Sequence, residues 1–179
     1  MERLLSDCLP AIAIAALVSL GTLPLAGASP VTVCVALSRS ADLDNLTISV
    51  RGVLSTTIEG WWLRPESQCA AQVFDGRTMQ NSLIVMSANG YIKAFKYRVA
   101  LPTDQPSIDR LWEAEKRCRA AGRHARVVLH GRFEGYPYFV DSSKPKPEKY
   151  GFGQQFDFVG QLIFDRVERI MGCVAYPGS

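Results

Sequence analysis

The sequence predicts a mainly β domain with one packed helix, of the OB-fold type: a five-stranded Greek-key barrel with its helix between the third and fourth strands. Three observations predict it. Two β-rich runs, 46–54 and 126–133, are each broken by one glycine, Gly52 and Gly131. An interior glycine marks a bulge or bend, and such bends let a short antiparallel sheet curl. A single long helical pattern stands between the two runs, and the predicted order is strand, strand, strand, helix, strand, strand. A β-sandwich with the helix packed on its outside is the other architecture this order allows.

The chain opens with an apolar stretch over 9–25, interrupted by Gly21 and Pro24 and followed by Ala26-Gly27-Ala28. An apolar core ending in small residues at an Ala-x-Ala site is the pattern of a secretory signal peptide, here expected to be cut after Ala28. Glu2 and Asp7 offset Arg3 in the leading segment, which is unusual for such a signal. The competing reading is an uncleaved anchor, since 9–28 is just long enough to span a bilayer. Residues 1–28 are therefore assigned as signal peptide and 29–179 as one OB-like domain, with its core over about 33–170 and an irregular C-terminal tail. Removing Arg3, Glu2 and Asp7 moves the formal charge from +3 to +4. That is ordinary for a soluble domain and neither requires nor excludes a polyanionic partner.

The elements follow in order. Over 31–39, Ser29 and Pro30 suit a helix start, while Val31, Thr32, Val33 and Val35 favour a strand. The turn cluster 42–45 leads into a first strand at 46–55, and a second at 57–63 contains Trp61 and Trp62. A loop covers 64–68, Asp75-Gly76 is a turn signal, and 83–87 is a short apolar third strand. A turn at 88–90 precedes an additional strand at 91–100, with Tyr91, Lys93, Phe95, Tyr97 and Val99 on one face. Pro106 and Ser107 supply the start of the helix and Gly122 its stop. Ile108, Leu111, Cys118 and Ala121 fall on its sheet-facing stripe, which Glu115 interrupts. The runs 126–133 and 136–141 read as one bent strand or a tight pair around Glu134-Gly135. Pro145 and Pro147 make 142–149 a loop, 156–167 is the last strand, and 172–179 reads as irregular.

Of five cysteines, Cys34, Cys69, Cys118 and Cys173 remain after cleavage. An even number in an exported chain predicts two disulfides, for which three connectivities exist. The preferred pairing is Cys34–Cys69 with Cys118–Cys173, and free buried thiols are the alternative. No Cys-x-x-Cys is present, so neither a zinc site nor a thioredoxin-type redox pair is expected.

Catalytic constellations are absent at the level of motif. His124 and His130 are the only histidines, and His130 reads as a satisfied, partly buried strand residue. There is no Gly-x-Ser-x-Gly, His-Glu-x-x-His or phosphate-cradling glycine loop. Asp75, Asp104 and Glu134 are not distinguished from surface charge, and no metal or cofactor is expected. Aromatic and basic residues are more suggestive. An OB-fold binds extended ligands across its second and third strands, bordered by the one–two and four–five loops. Trp61, Trp62, Lys93 and Tyr97 are expected near that surface, with Lys144, Lys146 and Tyr150 in the four–five loop. Adjacent strand residues point to opposite faces, so one of Trp61 and Trp62 is expected to be core. Packing and solubility alone are the plainer explanation of this mixture.

One resemblance extends the reading. Ile48-Ser-Val-Arg-Gly-Val-Leu54, then Glu59-Gly60 and Cys69, resembles a group of uncharacterised exported bacterial proteins. His130-Gly-Arg-Phe-Glu-Gly135, Tyr138-Phe-Val-Asp-Ser142 and Tyr150-Gly-Phe-Gly153 are similar to the second half of the same group. The similarity covers roughly 33–167 and implies an OB-like fold and no assigned activity. It also implies that Cys34 lies in a short helix before the first strand. Where that group commonly has a histidine after Gly-Phe-Gly, this chain has Gln154, which removes support for a metal or catalytic turn. The expected function is an exported, non-catalytic binding module, periplasmic or secreted, whose partner is a protein or extended polymer of the cell envelope. A single-stranded nucleic-acid binder and an enzyme of unassigned class are the alternatives.

Overall fold

A computed structural model describes residues 29–57, 60–74, 76–89, 97, 101–136, 138–139, 149–150, 152 and 158–175. The signal or anchor segment 1–28, most of the expected strand 91–100 and most of the loop 142–149 lie outside them. The fold is mainly β, as expected, but among the described residues it carries three helices rather than one.

The chain enters through a two-residue strand, β1 (Val31–Thr32), and turns directly into α1 (Val33–Ser38). Both readings of 31–39 thus hold in part. Thr32, not Ser29, is the cap, its hydroxyl accepting from Val35 N at 3.3 Å. A second short helix, α2 (Ser40–Leu43), ends at Asn45, whose positive φ of 64° turns the chain into the long strand β2 (Thr47–Thr57). β3 (Gly60–Arg64) follows, then a small hairpin absent from the sequence reading, β4 (Gln72–Phe74) and β5 (Arg77–Met79). β6 (Leu83–Ser87) matches the expected third strand.

The principal helix, α3 (Gln105–Ala120), begins one residue before the proline-serine signal suggested. Asp104 caps it, accepting from Ser107 N at 3.2 Å, and Pro106 sits in the first turn. Gly122 stops it at φ +66°. Ile108, Leu111 and Cys118 are buried as the stripe predicts, while Ala121 is exposed.

The remaining strands are β7 (His124–Gly135), a short ladder of β8 (Tyr138–Phe139) with β9 (Lys149–Tyr150), and β10 (Gly160–Val174). The expectation of an irregular tail from Gly172 is corrected here. β10 runs to Val174, which pairs with His124, and Cys173 is bonded to Cys118.

The main sheet has six strands in the order β1-β2-β3-β6-β10-β7, with β2 also paired to β7. Pairing therefore runs from β2 through β3, β6, β10 and β7 back to β2. β2 makes this possible by changing partner. Its first half pairs with β7, from Thr47↔Arg132 to Val53↔Arg126, and its second half with β3, from Val53↔Arg64 to Thr57↔Gly60. Gly52 stands at the changeover, where a Cβ would lie 2.7 Å from the Arg64 carbonyl oxygen and 2.9 Å from Val33 Cγ2. Gly131 faces Phe164 beside a register shift in β10 that leaves Asp165 as the extra residue, and a Cβ there would collide with the Ile163 carbonyl and Phe164 Cα. Close backbone approach, rather than an unusual φ, requires both glycines.

Leu54, Leu63, Leu83, Leu129, Phe133, Leu162 and Phe164 form the interior, and α3 closes it with Ile108 and Leu111. Ser107 ties the start of α3 to β10 by accepting from Val167 N at 2.9 Å. Two disulfides pin the periphery. Cys34–Cys69 joins α1 to the segment after β3, and Cys118–Cys173 joins α3 to the end of β10, each with a Cα–Cα distance of 5.4 Å. The preferred pairing is the one found. Two disulfides fit a non-reducing compartment. Among the described residues, no helix is long and apolar enough to cross a membrane.

Candidate functional site

A groove of about 400 Å³ lies between α3 and the paired ends of β2 and β3, lined by Thr56, Thr57, Trp61, Trp112, Glu115, Lys116 and Arg119. Strand parity builds one wall. Leu63 is wholly buried, so Trp61, two residues earlier, shares the inward face and packs against the core at its open end. Trp62, paired with Ser55 and Ile84, takes the opposite face. Of the two tryptophans, Trp61 is the one that packs against the core, and it does so as a partly buried residue.

Helical spacing builds the other wall. Trp112, Glu115, Lys116 and Arg119 recur at intervals of three and four residues, which places them on one face of α3. The Trp61 and Trp112 ring centroids are 4.2 Å apart with planes tilted by 43°, and Trp112 meets Phe164 edge-on at 6.3 Å. The indole pair is thereby anchored to the core while remaining partly buried rather than enclosed.

Glu115, the interruption in the apolar stripe, is 3 % exposed and held by design of its neighbours. Its carboxylate accepts from Ala125 N at 2.9 Å and from the Thr56 hydroxyl at 3.4 Å, with His124 Nδ1 3.6 Å away. These contacts compensate its burial. Arg119 donates to the Thr56 hydroxyl at 3.0 Å, which orients its guanidinium along the groove. The site therefore presents an apolar aromatic floor, two hydroxyls and two cations over a fixed buried carboxylate.

The other anticipated residues are not gathered here. Lys93, Lys144 and Lys146 lie outside the described residues, and Tyr150 is placed only as a strand residue paired with Tyr138. Tyr97 belongs to a separate polar network on the outer side of β7 and β10. Its hydroxyl donates to Asp44 at 2.6 Å, and the Arg132 guanidinium lies 5.7 Å from its ring centre. Burial, aided by the hydrogen bond to Asp44 and the nearby carboxylates, pushes its phenol up to about 12 against the opposing pull of Arg132. Arg132 donates to Glu134 at 2.8 and 3.1 Å, and Gln161 donates to the other Glu134 oxygen at 2.6 Å. Glu134 is fully buried, so it is not the surface charge the sequence suggested.

His130 is partly buried and satisfied, with Nδ1 2.8 Å from Asp165, the bulged residue of β10. Among the described residues, no group of three or more His, Cys, Asp or Glu side chains is arranged to hold a metal ion. Sequence reasoning found Trp61 but missed Trp112, Lys116 and Arg119. Their i, i+4, i+7 spacing on the one long helix was the available signal. The chain matches no family model, no curated protein and no solved structure.

Proposed function

We propose that this chain is an exported, non-catalytic binding module built on an OB-like barrel, and that it takes a protein or oligomeric ligand of the cell envelope. The closed circuit of β2, β3, β6, β10 and β7, the parallel β6–β10 pairing and the position of α3 between β6 and β7 support the barrel reading. The apolar N-terminal stretch, the two disulfides and the resemblance to exported proteins support export.

The observation that carries the binding role is the partly buried Trp61–Trp112 pair flanked by Lys116 and Arg119 in one groove. Indoles with solvent on one side suit the apolar face of a peptide side chain or a sugar ring, and the cations suit an acidic substituent beside it. Glu115 and Thr56 fix the cation nearest the floor, so the groove is organised before the ligand arrives.

Isothermal titration calorimetry of the oxidised protein with soluble, peptide-bearing glycan fragments of the envelope tests the reading. Saturable binding is expected, abolished by Trp112→Ala and weakened about tenfold by Arg119→Gln. Affinity unchanged in Trp112→Ala would overturn it. So would turnover of an ester, phosphodiester or glycosidic substrate that one substitution abolishes. A short oligonucleotide titrated over a salt series tests the nucleic-acid alternative, which predicts tight binding that weakens steeply with salt.

A further inference from the structure

Strand register places a second, different set of charges on the opposite side of the sheet from the core. Directly paired residues share a face. One row reads Arg64, Val53, Arg126 across β3, β2 and β7. The next reads Arg51, Val128, Arg169 across β2, β7 and β10. Two valines are thus framed by four arginines. Although they face away from the core, Val53 is 1 % and Val128 4 % exposed. Arginine stems lie along apolar surface while their charged heads stay in water, so the flanking arginines suit this shielded position.

The charge is lopsided. Among the described residues of these rows and of the loop following β3, Glu66 is the one carboxylate beside Arg51, Arg126 and Arg169. It sits between Arg51 and Arg126, at 2.9 Å from the Nε of one and 3.8 Å from that of the other. Those Nε atoms are shielded from solvent without an aligned hydrogen bond, so the contacts are ionic rather than directional. The Arg51 and Arg126 side chains are 41 % and 42 % exposed, which leaves them open to a second partner.

We propose that this face is a docking surface for an acidic peptide segment in extended conformation, independent of the tryptophan groove, and that Glu66 occupies it as an internal substitute. Charge complementarity names the class, and Glu66 shows that a carboxylate fits between the guanidiniums. The two rows are two residues apart along β2, roughly 7 Å, which is also the spacing of alternate side chains on an extended chain. Acidic residues at every second position would therefore meet successive rows. Arginine forks favour such carboxylates over a point-charge match alone.

The test is fluorescence anisotropy of a labelled short peptide alternating glutamate and threonine, with the glutamine-threonine peptide as control. The oxidised wild-type protein is expected to bind the first and not the second, with affinity falling as salt rises. Arg51→Gln with Arg126→Gln should weaken binding about tenfold, and the exposed Arg169→Gln a few-fold. Glu66→Gln should tighten it a few-fold, because the competing carboxylate is gone. Trp112→Ala should leave it unchanged, which separates this surface from the groove. Equal binding of both peptides, weaker or unchanged binding in Glu66→Gln, or binding of a sulfated glycan but not of the acidic peptide would each overturn the proposal. Circular dichroism melts of the variants show whether a loss reflects the surface or the fold, and the Glu66→Gln gain cannot arise from misfolding.

Discussion

Gly131 shows how much a single missing atom controls. A methyl group there would collide with the Ile163 carbonyl and Phe164 Cα, both backbone atoms that no rotamer change can move. Gly131→Ala is expected to destabilise the fold by about 3 kcal/mol, at the upper end for overpacking, measured by urea titration. Gly76→Ala is the contrast: nothing lies within 4 Å, so only the strain of φ +78° remains and the cost should be about 1 kcal/mol. Tyr97 carries a second residue-scale prediction. Its phenol is held protonated up to about 12 in the fold and titrates near 10 when unfolded. Between those values the folded state binds the extra proton, so its contribution is complete below about pH 10 and is lost as the pH rises toward 12. Urea midpoints should fall through that window in the wild type, and less so in Tyr97→Phe. Gly131 was legible because a glycine breaking a β-rich run has no packing reason to be there. Glu115 was not, because in sequence a buried carboxylate with backbone and hydroxyl donors looks the same as an exposed one.

Elements differ in how plainly they announce themselves. β2 and β7 alternate cleanly over most of their length, and α3 has both an apolar stripe and terminal signals, so all three were legible. The end of β10 was not. Register shifts between Val167 and Arg169 and between Ile170 and Cys173 break the two-residue period, and Gly172 at φ +98° reads as a turn. The β4–β5 hairpin was missed because three-residue strands are too short to show a pattern. Phe74, on its first strand, meets Tyr136 at 4.8 Å between ring centres with the planes tilted by 45°, a contact that only tertiary structure supplies. What secures the irregular end of β10 is its covalent link to α3. Replacing Cys118 and Cys173 by serine should cost about 2–4 kcal/mol. Hydrogen exchange should then quicken first over 170–174, while the β2–β7 ladder keeps its protection until global unfolding.

At the scale of the whole molecule, two surfaces of opposite design sit on one small scaffold. The groove joins residues from β2, β3 and α3 around an aromatic floor, whereas the arginine face spans β3, β2, β7 and β10 and sets four arginines around two valines. Neither was fully legible, because each is assembled by register and helix packing from residues that sequence leaves far apart: Trp61 and Trp112, or Arg51, Glu66 and Arg126. The two disulfides, by contrast, join neighbours. Cys34 pairs with Cys69 and Cys118 with Cys173, so the bonds close two successive loops that neither overlap nor nest. Among these four cysteines, for a chain emerging N-terminus first, each meets its native partner as the next of the four to appear. Oxidation in order of arrival is then already correct, and maturation need not wait on the minutes-to-hours reshuffling that interleaved bonds impose.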